Sequence, residues 1–114
     1  MSLQGNKNQK AIPLGGAQLV NKTTGESFVL ERSVLKIGRD EGNDLPLPQD
    51  TYVSRHHAWI LHMRGQWWVE DLGSTNGTTL NGKPLEERKQ VAPGDAIKIG
   101  RTELFFELSQ QEDV

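Results

Sequence analysis

From Ala17 onward this chain is a series of short apolar runs broken by turn signals. Thr24-Gly25, Arg64-Gly65, Asn81-Gly82 and Pro93-Gly94-Asp95 mark the turns, and Asn-Gly between apolar runs is the strongest short-range hairpin signal a sequence offers. Within the runs, apolar residues alternate. Leu35 and Ile37 fall on one face with Lys36 on the other, Leu45 alternates with Leu47, Ile97 with Ile99, and Leu104 with Phe106 and Leu108. That period of two belongs to strands. "AQLVNKTTGESFVL" reads as two strands about its turn, and "HAWILHM" and "QWWVEDL" as a hairpin across Arg64-Gly65. The prolines of "DLPLP" suit only an edge strand, because proline has no N–H to give to a ladder. No window carries apolar residues at helical spacing with caps. "PLEERKQVA" is helix-favouring in composition, yet it has too few apolar positions to bury a face. Turn signals every 8–12 residues or so predict an all-β fold, a sandwich or barrel, with function in the loops at one end.

At 114 residues the chain has room for one core. Its 34% hydrophobic and 25% charged residues are lean but still globular. No run approaches the roughly 20 apolar residues of a membrane span, and no basic-then-apolar start reads as a secretory signal. The absence of cysteine excludes disulfides and thiolate metal sites and fits a reducing, cytoplasmic setting. A net charge of −2 argues against a general nucleic-acid binder. Residues 1–11 are polar and without period, and are expected to be a disordered or expression-derived lead-in. Residues 12–108 are expected to form the domain, and 109–114, "SQQEDV", a linker or tail, so that the chain reads as a fragment of a longer protein.

Charge is unevenly spread. From Thr51 to Arg64 there is no acidic residue, while Arg55, Arg64, His56, His57 and His62 all fall there. Three chemistries compete for this stretch. Ser54, His57 and Asp71 could be assembled into a hydrolytic triad, although Ser54 lies outside any G-x-S-x-G elbow and a triad is a matter of geometry. His56, His57 and His62 could hold a metal, but neighbours on a strand point to opposite faces and no Cys, Asp or Glu stands at ligand spacing. The third reading is an anion site. Arg39 follows Gly38 at a strand end, Arg55 offers a planar fork matched to phosphate oxygens, and Ser54 adds a hydroxyl donor. "GSTNGT", Gly73 to Thr78, contributes exposed amides, the Thr75 hydroxyl and the Asn76 carboxamide, which both donates and accepts and so suits a peptide backbone. It is not a nucleotide P-loop, since no Gly-Lys-Ser/Thr follows, and no cofactor is implied.

"IGRD", "SRHHAWI", "DLGSTNGTTLNG" and "PGDAIKIG" come in the order and approximate spacing of a forkhead-associated (FHA) domain, which the chain resembles from about Ala17 to Leu108. The resemblance implies an eleven-stranded β-sandwich that binds phosphothreonine in an extended peptide through loops at one end. It implies a non-catalytic module in Ser/Thr kinase signalling, monomeric as an isolated domain, whose partner is a phosphothreonine-containing protein rather than nucleic acid or membrane. Carried over residue by residue, Arg39 and Ser54 would contact the phosphate with Arg55 assisting. Thr75 would stand just before the peptide-clamping Asn76, His57 would brace the loop, and Gly38 and Gly77 would shape the backbone. His56 has no assigned role. A degenerate, purely structural FHA-like module and a Ser54/His57 hydrolase stand as alternatives. The resemblance also implies that the residue three positions after the phosphothreonine is read by nearby loops, with Asn76 and Asn81 to Lys83 as candidates. Lys83, Arg55 and Arg64 would then disfavour Lys or Arg there by about 1 kcal/mol or less, unless Glu86 or Glu87 swings into the site.

Overall fold

A computed structural model describes residues 16–108; the expected lead-in at 1–11 and tail at 109–114 lie outside the described residues. The described residues form eleven strands: β1 (Ala17–Asn21), β2 (Ser27–Val29), β3 (Val34–Gly38), β4 (Leu45–Pro46), β5 (Ala58–Met63), β6 (Gln66–Asp71), β7 (Thr78–Leu80), β8 (Lys83–Pro84), β9 (Lys89–Val91), β10 (Ala96–Ile99) and β11 (Thr102–Leu108). They make two sheets. One has six strands in the order β2-β1-β11-β10-β7-β8, the other five in the order β4-β3-β5-β6-β9. No helix among the described residues is long and apolar enough to cross a membrane.

The alternation read from the sequence sets the sandwich. Leu35, Ile37, Ala58, Ile60, Trp67 and Val69 from one sheet are buried with Ala17, Leu19, Ile97, Ile99, Leu104 and Phe106 from the other. Burying a side chain of this size is worth about 1.5–3 kcal/mol, so a one-residue slip of register would be costly on every strand. Leu108 departs from the alternation and is exposed at the end of β11. β4 is the proline-bearing edge strand expected, though only two residues long and parallel to β3. "PLEERKQVA" is not helical: it contributes the end of β8 and all of β9.

Two hairpins turn on residue pairs in which both members have positive φ: Arg64 (53°) with Gly65 (76°), and Asn81 (52°) with Gly82 (83°). That is the backbone of a two-residue turn whose twist matches the strands. The opposite end of the sandwich is less regular. There β3 stops at Gly38, β5 starts at Ala58, β6 stops at Asp71 and β7 starts at Thr78, with Ile37 paired to Ala58, Ala58 to Asp71 and Thr78 to Ile99. The loops leaving these rungs are long, and they carry the chemistry.

Candidate functional site

Arg39, Ser54, Arg55, Thr75 and Asn76 line one cleft, together with Thr51, Tyr52 and Val53. The five residues singled out in the sequence as donors are thus brought together from three loops. Tyr52 and its neighbours were missed, because an exposed tyrosine two residues from a serine carries no local signal of its own.

The strand end at Gly38 explains how Arg39 and Arg55 come to face one cleft. The Arg39 amide donates to the Ser54 carbonyl (2.9 Å) and the Asp40 amide to the Arg55 carbonyl (3.4 Å). Gly38 lies so close to this crossing that a Cβ would run into the Arg55 carbonyl oxygen and stand 2.7 Å from Asn43 Nδ2. Glycine is needed here for close approach, not for a left-handed backbone. Asn43, which the sequence gave no reason to notice, is buried and donates through Nδ2 to the carbonyls of Asp40 (2.7 Å) and Arg55 (2.8 Å).

His57 is completely buried and bonded in every direction. Its amide donates to Ile37 and its carbonyl accepts from Leu72, both at 2.9 Å. Nδ1 accepts from the Ser54 amide at 3.0 Å, which requires that nitrogen to be unprotonated. Nε2 then carries the proton and donates to the Gly77 carbonyl at 2.9 Å. One imidazole therefore ties the Ser54 loop to the Gly77 loop across the sandwich end.

The loop from Gly73 to Gly77 is held by Asp71. Its Oδ1 accepts from the hydroxyls of Ser74 (2.6 Å) and Thr78 (2.7 Å), and Oδ2 from the amides of Gly73 and Ser74, each at 3.0 Å. Burial alone would push this carboxyl up, but those hydrogen bonds hold it below its usual value. Gly73 (φ 73°) and Gly77 (φ 82°) supply the left-handed positions that the loop requires. The Ser74 hydroxyl also accepts from the Gly77 amide at 2.9 Å. The result is a rigid tip that aims Thr75 and Asn76 at the cleft.

The triad arrangement does not form. Ser54 Oγ accepts from the Thr75 amide at 3.0 Å, while His57 meets the Ser54 amide rather than its hydroxyl. Asp71 Oδ1 stands 3.9 Å from Nε2, whose hydrogen bond goes to Gly77. The three histidines diverge: His57 is interior, His56 is exposed, and His62 stacks on Trp67 with ring centroids 4.4 Å apart. Among the described residues no three His, Cys, Asp or Glu side chains are grouped to hold a metal.

What the cleft offers is a set of donors. Among the described residues no carboxylate forms an ion pair with Arg39 or Arg55. The Ser54 hydroxyl, already accepting from Thr75, keeps its proton for a donor role. Asn76 donates through Nδ2 to the Tyr52 carbonyl at 2.9 Å and retains Oδ1 and its second N–H. Asn81 and Lys83, expected near the cleft, are not part of it. The Asn81 side chain is instead bonded to Asp95 and to the Ala96 amide at the far end of β7. Arg64 sits at the far end of β5, six strand residues or about 20 Å from the cleft end.

The family model of the FHA domain matches residues 35–100. The chain is 35% identical over 107 residues to the glycogen accumulation regulator GarA of Mycolicibacterium smegmatis, an alignment that covers 91% of this chain and 66% of that protein. It spans about half to two thirds of the length of the curated relatives it matches. Among solved structures, Mycobacterium tuberculosis EmbR in complex with a low-affinity phosphopeptide superposes with a TM-score of 0.80 at 28% identity, over 96% of this chain and 27% of that one. A structure from a study of phosphothreonine-dependent FHA domain interactions superposes at 0.76 with 33% identity, over 83% and 98%. The chain belongs to the FHA domain family.

Proposed function

We propose that this domain is a non-catalytic, phosphothreonine-dependent peptide-binding module of Ser/Thr kinase signalling, acting as a monomer in the cytoplasm. The observation that carries this reading is that Arg39, Arg55 and Ser54 line one cleft and that, among the described residues, no carboxylate is ion-paired to either arginine. Membership of the FHA family, the regulator among the relatives and the phosphopeptide held by EmbR support it.

A phosphate brings a charge of about −1.5 to −2 and three acceptor oxygens to a threonine. Arg39, Arg55 and Ser54 donate to those oxygens, each charge-assisted bond contributing about 1.5–3 kcal/mol. Two such bonds separate modified from unmodified peptide by roughly a hundredfold or more. Asn76, through its remaining donor and acceptor, holds the peptide backbone, and Thr75 supplies the amide that orients Ser54. His57, Gly38 and Gly77 touch no ligand and fix the loops that do.

Threonine is favoured over serine partly by its methyl group. Burying one methyl supplies only about 0.8 kcal/mol, about fourfold. Any stronger preference comes from the restricted rotation of a β-branched residue. An oriented library of phosphothreonine, phosphoserine and phosphotyrosine peptides tests the ligand class. Enrichment of phosphothreonine is expected, and equal capture of all three would overturn the reading.

A further inference from the structure

The outer face of the five-stranded sheet inverts the usual polarity. Where one face of an antiparallel sheet packs on a core, the other normally reads polar. Here Trp59, Leu61 and Met63 of β5 and Trp68 of β6 alternate with the core residues Ala58, Ile60, Trp67 and Val69, and so point away from them. Leu61 stands directly across from Trp68. It is only 5% exposed although it lies outside the core cluster, so neighbours on this face cover it. Among the described residues there are two sheets and no third layer over this face. Trp59, Met63 and Trp68 are half-buried there.

One polar atom on this face is left without a partner. Trp68 Nε1 is buried and, among the described residues, makes no hydrogen bond. Such an orphaned donor is rare and costs about 1–3 kcal/mol. The same tryptophan lines a cavity of about 320 Å³ with Met63, Arg64 and Arg88. Arg88 leans across it, with Nη1 donating weakly to Met63 Sδ at 3.8 Å. Met63 and Arg88 are long and unbranched, so a small movement of either opens the indole N–H to an incoming acceptor.

The charges set into the face favour an acidic visitor. Lys36 stands across from Trp59, and Arg64 occupies the β5–β6 turn. Both are exposed, and neither forms an ion pair among the described residues. Glu70, across from Trp59 on its other side, is held by Arg88 through Nε at 3.2 Å and Nη2 at 2.9 Å. Asp44 is taken by Arg32 and by the Lys36 amide. Lys36 and Arg64 are therefore left uncompensated, on a chain whose net charge is −2. Tryptophan, methionine and arginine are also the residues enriched at the centre of protein interfaces.

We infer that this face docks a segment of another protein in which apolar side chains sit beside carboxylates. The apolar groups cover Trp59, Leu61 and Trp68, while one carboxylate enters between Arg64 and Arg88 and accepts from the Trp68 N–H. The surface shares no residue with the phosphate cleft and requires no phosphate on the partner. It is independent of the phosphopeptide reading.

The test uses the full chain and a random, unphosphorylated dodecapeptide display library. Selected peptides should be enriched in Asp or Glu next to Leu, Ile or Phe. Titrated into the ¹⁵N-labelled domain, the tightest of them should shift the Trp68 indole signal, identified as the one missing from Trp68→Phe. Two variants then read the site. Trp68→Phe keeps a ring but loses the N–H, and Arg64→Asn removes the cation with a residue that tolerates the positive φ (53°) of the turn. Each should weaken the peptide about tenfold or more, the loss of one hydrogen bond between charged partners. Well-dispersed amide spectra show that both variants remain folded. No selected peptide, selection of Lys- or Arg-rich peptides, or binding that survives both variants overturns the inference. So does sedimentation with phosphatidylglycerol vesicles, or self-association in the ultracentrifuge, that either variant abolishes, since the face then belongs to a lipid surface or a second copy.

Discussion

Nδ1 of His57 accepts a hydrogen bond from the Ser54 amide at 3.0 Å, so the imidazole holds the loop that carries Ser54 without reaching its hydroxyl. The same ring reaches Gly77 through Nε2. His57→Ala should therefore destabilise the domain by about 2–4 kcal/mol, from a cavity and two part-buried backbone groups left unpaired. Urea denaturation measures this. A variant as stable as the parent would show that the two loops hold each other without it.

Arg39 is half-buried at the end of β3 and makes no ion pair among the described residues. Arg39→Ala should weaken phosphopeptide binding by about 1.5–3 kcal/mol. The melting temperature should barely move, since few contacts are lost. Arg39→Lys should restore only part of the affinity, because an ammonium lacks the bidentate fork. A variant that unfolds would make Arg39 a structural residue.

Gly38→Ala forces a methyl into the Arg55 carbonyl and against the Asn43 side chain. Overpacking of this kind costs about 1–3 kcal/mol, and relief requires the loop that carries Arg55 to move. Thermal denaturation and peptide affinity should both worsen, in contrast to Arg39→Ala. Unchanged affinity in a destabilised Gly38→Ala domain would show that the Arg55 position is not critical.

Asp71 is ionised below its usual range by the donors around it. Its contribution to stability is fully present above the unfolded carboxylate value of about 3.9 and is lost as pH falls through the lower folded value. Stability measured from pH 6 downward should thus decline steeply in acid. Asp71→Asn, which retains one acceptor oxygen and cannot titrate, should be less stable at pH 6 with a flatter acid limb. Parallel acid limbs for parent and variant would assign the decline to other carboxylates, Asp50 among them.

The strands were legible because alternation at Leu35 and Ile37, or Leu104 and Phe106, is a local property, and because Arg64-Gly65 and Asn81-Gly82 set their own turn geometry. The cleft residues were legible through the order of four motifs, each of which is weak alone. Asn43 and Asp50 were not, since Asn43 meets Arg55 and Asp50 meets Arg101 and Thr102, partners set by sheet packing rather than by spacing; Asp71 was noticed only as a triad candidate, although its partners Gly73, Ser74 and Thr78 lie close in sequence. Placing Asn81 to Lys83 at the site failed for a related reason. Proximity in sequence to Asn76 does not survive three residues of strand leading away from the cleft.

Isothermal titration calorimetry with one peptide in two forms, threonine phosphorylated or not, tests the central claim most directly. Binding of the phosphorylated form at least about a hundredfold tighter is expected, from two charge-assisted bonds that only the phosphate can accept. Equal affinity for the two forms would contradict it.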